Sequence, residues 1–291
     1  EACMVPQEKR EAFRAILSGK DVIKPGSVYD PISARIAEDV GFELGLLGGS
    51  AASLTILGDP DLLLITLSEL TEQVRRICRA GKIPVLVDAD HGYGNALNVR
   101  RTVQEIEAAG AAGLTLADAL LPQAHGPAKP QVISIEEGVG KMKAARDGRS
   151  DLSLVIVGRT GAAPITGIDD TVARAKAYEA AGVDALFFTG LKTRGELQAI
   201  SSATKLPIIM GSADGELADM AFLASQRVRV ANQGHQPIAA AIQAVYETQR
   251  ALRDGVAPKD LKGLPSADLT GRVTRDADMK TRIADFLGPK K

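Results

Sequence analysis

A TIM-type (β/α)8 barrel, an α/β fold, is the class that this 291-residue chain predicts. Three observations predict it. Short apolar runs alternate with amphipathic stretches, the runs number eight, and the stretches repeatedly end in Ala-Gly just before the next run. Alternating strand and helix call for a parallel sheet, and eight such units over this length call for closure into a barrel.

Taken in order, the strand-like runs are 22–24, 44–47, 84–87, 113–116, 154–157, 185–188, 207–210 and 228–231. Continuous apolar character over so few residues is the mark of a strand buried on both faces. Between them, 67–81, 98–110 and 169–182 place apolar residues three and four apart, and each finishes on a glycine (Gly81, Gly110, Gly182) suited to a helix C-cap. Beyond the eighth run the pattern changes. Residues 235–255 form a strong helix, 256–265 a connector with Pro and Lys, and 276–287 a shorter helix. The expected organisation is one barrel domain over 1–291 with a C-terminal helical extension from about 235 to 291. Segment 125–131, rich in Pro and Gly, follows the fourth run and is either a lid or an ordinary solvated loop.

Composition removes several function classes. With 45% hydrophobic and 24% charged residues the chain can bury a sizeable core. A net charge of -1 offers no field for nucleic acid or anionic membrane, and 3% aromatic residues without Trp leave few stacking platforms. Cys3 and Cys78 have no metal spacing, and Cys78 reads as a small buried hydrophobe. With no secretory leader pattern and no membrane-length apolar run, a cytoplasmic protein is expected.

Polar residues just past the strand ends converge at one mouth of a barrel. The second strand runs into Gly48, Gly49 and Ser50, where backbone amides and a hydroxyl can approach a ligand. The third delivers Asp88 and Asp90 inside DADHGYGN, two acids with no cation nearby in sequence. Oxygen ligands of that kind suit a divalent metal, although a solvated acidic turn gives the same letters. Asp118 follows the fourth strand and Arg159 the fifth, the latter a fork matched to a carboxylate. His235 opens the helix beyond the eighth and can bind a second carboxylate or move a proton. The set suits a small dicarboxylate or 2-keto acid bridged to Mg2+ or Mn2+.

Segments 41–53 (GFELGLLGGSAAS), 87–103 (VDADHGYGNALNVRRTV), 121–123 (LPQ) and 158–162 (GRTGA) together resemble the isocitrate lyase and phosphoenolpyruvate mutase superfamily. Within it, 26–42, the histidine of 233–241 and LTGRVTR at 269–275 look most like bacterial oxaloacetate decarboxylases. That resemblance implies a carboxy-lyase converting oxaloacetate to pyruvate and CO2 through an enolate formed beside Mg2+. It implies Asp88 as the direct metal ligand, Asp90 and Asp61 around the metal's waters, and Ser50, Arg159 and His235 as substrate-binding residues. A homotetramer with helix exchange between subunits is implied as well. No catalytic residue is expected beyond this metal and substrate set.

Two departures from the superfamily pattern bear on activity. Ala117 precedes Asp118 where members generally carry Glu, which removes a group that helps hold the metal's hydration shell. The QAHGPAKPQ segment lacks the cysteine that lyases of the superfamily use for proton transfer, which disfavours cleavage of isocitrate or methylisocitrate. Methylisocitrate-type lyase, phosphonopyruvate hydrolase, and a catalytically weak keto-acid-binding protein stand as the alternatives.

Overall fold

The computed structural model describes residues 5–123, 125–126 and 129–288. Cys3 and part of the 125–131 loop lie outside them. The chain divides after Gly234 into two compact units.

The first unit holds eight parallel strands in sequential order: β1 Gly26–Ser27, β2 Gly45–Leu47, β3 Val85–Asp88, β4 Gly113–Ala117, β5 Val155–Thr160, β6 Ala185–Phe188, β7 Ile208–Met210 and β8 Val228–Ala231. The ring closes through Ile23, which bridges Val230 in parallel, its amide donating to Arg229 O and its carbonyl accepting from Ala231 N, both at 2.9 Å. The expected first strand at 22–24 is therefore only this bridge, and β1 lies two residues later. Pro25 is the physical reason, since it has no N–H and interrupts the ladder between the β8-paired and β2-paired segments.

Period-two alternation sorts each strand into an inner and an outer face. Leu46, Leu86, Val155, Val157, Ala185, Phe187, Ile209 and Val230 pack with Phe13 and Leu17 in one cluster. Their sequence neighbours pack in a second cluster with the surrounding helices. Phe13 and Leu17 come from a helix, Pro6–Ser18, that the strand and helix alternation does not predict. A Cβ on Gly113 would stand 2.8 Å from the Phe13 ring, so the ring takes the space that this glycine leaves. Full burial of that ring stabilises the barrel by roughly 1.5–3 kcal/mol.

The same helix fastens to helix ends around it. Lys9 Nζ donates to Cys78 O (2.5 Å) at the end of helix Leu67–Cys78, and Arg10 donates to Glu107 O (2.7 Å) in the last turn of helix Ala96–Ala108. Such carbonyls have no partner within their own helix and favour a cation. Gly110 and Gly182 follow their helices at φ 97° and 89°, as caps should. Gly81 plays another part: it accepts from Lys9 Nζ, and a Cβ there would collide with the Glu38 carboxylate. Cys78 is buried, and burial pushes its thiol up to about 12.

The second unit contains helices Gln236–Arg253, Ala267–Thr274 and Asp276–Leu287. The middle one, missing from the periodicity reading, is eight residues long and is capped by Ser266, whose hydroxyl accepts from Leu269 N at 3.1 Å. No helix among the described residues is long and apolar enough to cross a membrane.

Candidate active site

Inner-face alternation carries directly into the mouth. Asp88 follows Leu86 by two positions on β3, Thr115 and Ala117 follow Gly113 on β4, and Arg159 follows Val157 on β5. The register sets Asp88 beside Thr115, and Ala117 beside Arg159. Asp88 is held on both oxygens. Its Oδ1 accepts from Asp90 N and from Thr115 Oγ1, each at 3.1 Å, and its Oδ2 accepts from Arg159 Nη1 at 2.5 Å. That ion pair spans β4, over the strand whose inward side chain at the same level is only the methyl of Ala117. Arg159 also lies over the Phe187 ring, 5.2 Å from its centroid.

Asp90 occupies left-handed backbone, φ 49°, and its carbonyl accepts from Ala117 N at 2.7 Å. A Cβ on Gly49 would lie 3.0 Å from Asp90 Oδ1, so glycine at 49 makes room for this carboxylate. Ser50 is the next residue, in the first turn of helix Gly49–Ile56, where backbone amides have no partner within the helix. The turn 88–95 is pinned from outside by buried Lys141, whose Nζ donates to His91 O at 3.0 Å. Burial and, less strongly, Lys141 lower the His91 pKa.

Electrostatics rank the acids. Burial opposes ionisation of Asp88, but the Arg159 guanidinium and the hydrogen bonds to its oxygens hold its carboxyl below the usual range. Burial together with the Asp88 and Asp61 charges pushes Asp90 up to about 8. The pull of Asp88 raises Arg159 against its own burial. Burial and the same three acids raise Tyr93, whose hydroxyl is buried without a hydrogen-bond partner.

One arginine thus faces three acidic side chains, whose mutual repulsion raises Asp90, and a divalent cation with oxygen ligands would relieve it. Among the described residues no three His, Cys, Asp or Glu side chains converge as a metal cage. Mg2+ does not need one, since it commonly takes one or two carboxylates and fills its octahedron with water and substrate oxygens. The donor set therefore fits, with Arg159 competing for Asp88.

The structure brings Asp88, Asp90 and Arg159 together, with Asp61 within electrostatic reach, and sets Gly49 against Asp90, leading into Ser50. Asp118 does not join them. It is 1% exposed and bonded to Arg174 and Tyr178 of helix Ile168–Ala181, because it falls on the outer face in the alternation that turns Ala117 inward. His235 is the first residue of the second unit, capping helix Gln236–Arg253 at φ -111°, ψ 46°. Thr115 went unnoticed in the sequence, although counting by twos from Gly113 finds it. Lys141, Arg174 and Tyr178 lie on helices and leave no strand-end signal.

Barrel enzymes carry their chemistry on residues at the C-terminal strand ends, and the Asp88–Arg159 pair stands at such ends. The phosphoenolpyruvate phosphomutase family profile matches residues 13–253, and the chain belongs to that family. It is 68% identical over 280 residues to an oxaloacetate decarboxylase of Bradyrhizobium sp. strain ORS 278, covering 96% of this chain and 97% of that one. A second oxaloacetate decarboxylase, from Bradyrhizobium diazoefficiens, is 67% identical over 99% of this chain and all of its own. Among solved structures, phosphonopyruvate hydrolase in complex with oxalate and Mg2+ superposes with a TM-score of 0.85 at 30% identity, over 98% of this chain and 100% of that one.

Proposed function

We propose that the protein decarboxylates oxaloacetate to pyruvate and CO2, as a carboxy-lyase. The observation that carries this reading is near-full-length identity of 62–68% to proteins named oxaloacetate decarboxylase. The mouth agrees with it chemically. Asp88 would hold Mg2+, or Mn2+ in its place, with Asp90 and Asp61 beside it. The cation supplies Lewis-acid polarisation of a 2-keto oxygen, worth several kcal/mol to a developing enolate.

The chain's own residues do the rest. Arg159 exchanges its Asp88 contact for a substrate carboxylate, to which its fork can donate twice. Ser50 and the free amides of the first turn of helix Gly49–Ile56 donate to substrate oxygen as negative charge accumulates there. The C3–C4 electron pair stays with the three-carbon fragment as CO2 leaves, and a proton from water at C3 completes pyruvate. The role of His235 in binding substrate rests on the sequence resemblance. A homotetramer and a cytoplasmic location belong to the same proposal. Tyr246, Phe286 and Leu287, each more than 60% exposed, support further association of the second unit.

Coupled measurement of pyruvate release from oxaloacetate, with and without EDTA, tests the reading. Release that EDTA abolishes supports it. Turnover of phosphonopyruvate or methylisocitrate in preference to oxaloacetate would replace it with one of the alternatives, the first favoured by the 30% identity to the hydrolase.

A further inference from the structure

We infer that Arg174, Tyr178 and Asp118 form a positioning cluster for the Asp88–Arg159 pair. The Asp118 carboxylate is buried, and its Oδ2 accepts from Tyr178 OH at 2.7 Å and from Arg174 Nη1 at 3.1 Å. Its Oδ1 is buried with no hydrogen-bond partner. A buried charge satisfied on one oxygen depends heavily on the donors it does have. Arg174 is itself fixed, with Nε on Asp170 at 2.7 Å and Nη1 shared with Ile133 O at 2.9 Å. Tyr178 is fully buried, and two glycines make room for it. A Cβ on Gly138 would collide with its hydroxyl, and one on Gly158 would touch its ring at 3.4 Å.

The backbone of the same short segment holds the site. Asp118 N donates to Arg159 O at 3.1 Å, and Ala117 N donates to Asp90 O at 2.7 Å. Two successive amides, those of Ala117 and Asp118, therefore tie the β3 turn to the β5 end, and the Asp118 carboxylate anchors this segment to helix Ile168–Ala181. Ile133 N returns to Asp118 O at 2.8 Å, so Arg174 grips both sides of the loop stem that starts there. Displacing the anchor moves the Arg159 fork off the line on which it would meet a substrate carboxylate, and a misaligned fork loses one of its paired hydrogen bonds.

The test uses Tyr178→Phe, which removes one donor and little volume, and Arg174→Lys, which keeps charge but loses the fork. Ile200→Val, a core change in helix Arg194–Ala203 that touches none of the cluster's hydrogen bonds, serves as the control for lost stability. Residue-resolved hydrogen exchange should rise about tenfold at the amides of 117 and 118 in both cluster variants, with those of Leu186 and Ile208 unchanged. KM for oxaloacetate should rise about tenfold with kcat held within about twofold, whereas a loss of folded protein lowers kcat and leaves KM alone. Exchange that rises uniformly or not at all, or a wild-type KM, overturns the inference. The kinetic arm rests on the decarboxylase reading. A wild-type protein that releases no pyruvate sinks that reading alone, and the exchange arm still decides this one.

Discussion

Arg159 reaches across a full strand to meet Asp88, Nη1 to Oδ2 at 2.5 Å, with only the Ala117 methyl at its level on the intervening strand. The pair carries the site's electrostatics. It favours the charged forms of Asp88 and Arg159, and leaves Asp90 buried in a negative field that Arg159 offsets only in part. Any anionic substrate that takes the guanidinium frees an Asp88 oxygen for a cation.

Removing the guanidinium should therefore be felt in binding. Arg159→Ala is expected to raise KM for oxaloacetate about thirtyfold or more, equivalent to about 2 kcal/mol. Steady-state kinetics check this, and an unchanged KM would take Arg159 out of the substrate contacts.

Gly49→Ala tests the packing of Asp90. The added methyl carbon would stand 3.0 Å from Asp90 Oδ1 and forces the carboxylate to give way. Turnover should fall about tenfold while the melting temperature moves by only a few degrees. Wild-type turnover would show that Asp90 tolerates displacement.

Ala117→Glu adds an acid at the position between the paired residues. The Mg2+ concentration giving half-maximal activity is expected to fall about tenfold, the size typical of groups that hold a metal's surroundings in place. An unchanged metal requirement would mean that this position does not face the cation's waters.

Stability should respond to acid through Asp151. Hydrogen bonds from Ser153 and Arg10 hold its carboxyl down at about 2, and the same Arg10 ties the helix bearing Phe13 to the barrel. A depressed folded pKa contributes stability that is complete well above the unfolded value near 3.9 and is lost as pH falls through the folded value near 2. Urea melts should show Asp151→Asn less stable than wild type at pH 7, with most of that gap gone at pH 2. A gap of undiminished size at pH 2 would assign the effect to packing.

Much of the fold was legible because parallel strands buried on both faces announce themselves as short apolar runs. Seven of the eight expected runs overlap the observed strands; the one at 22–24 missed because Pro25 splits the ladder there. The helix Pro6–Ser18 escaped because its role is to plug the sheet, outside the alternating rhythm. At the site, Asp88 and Arg159 were readable as charges ending apolar runs. Asp118 misled for the same reason: one step along a strand reverses the face, and sequence position alone does not tell a mouth residue from one anchored behind it. Lys141 and Arg174 act from helices on backbone oxygens, a partnership with no spacing rule.

Calorimetric titration of oxalate, a mimic of the pyruvate enolate, into wild type and Asp88→Ala with and without Mg2+ tests the central claim most directly. Wild type should bind oxalate only when Mg2+ is present, and Asp88→Ala should bind it in neither condition. Wild-type affinity for Mg2+ and oxalate in the Asp88→Ala protein would contradict the account.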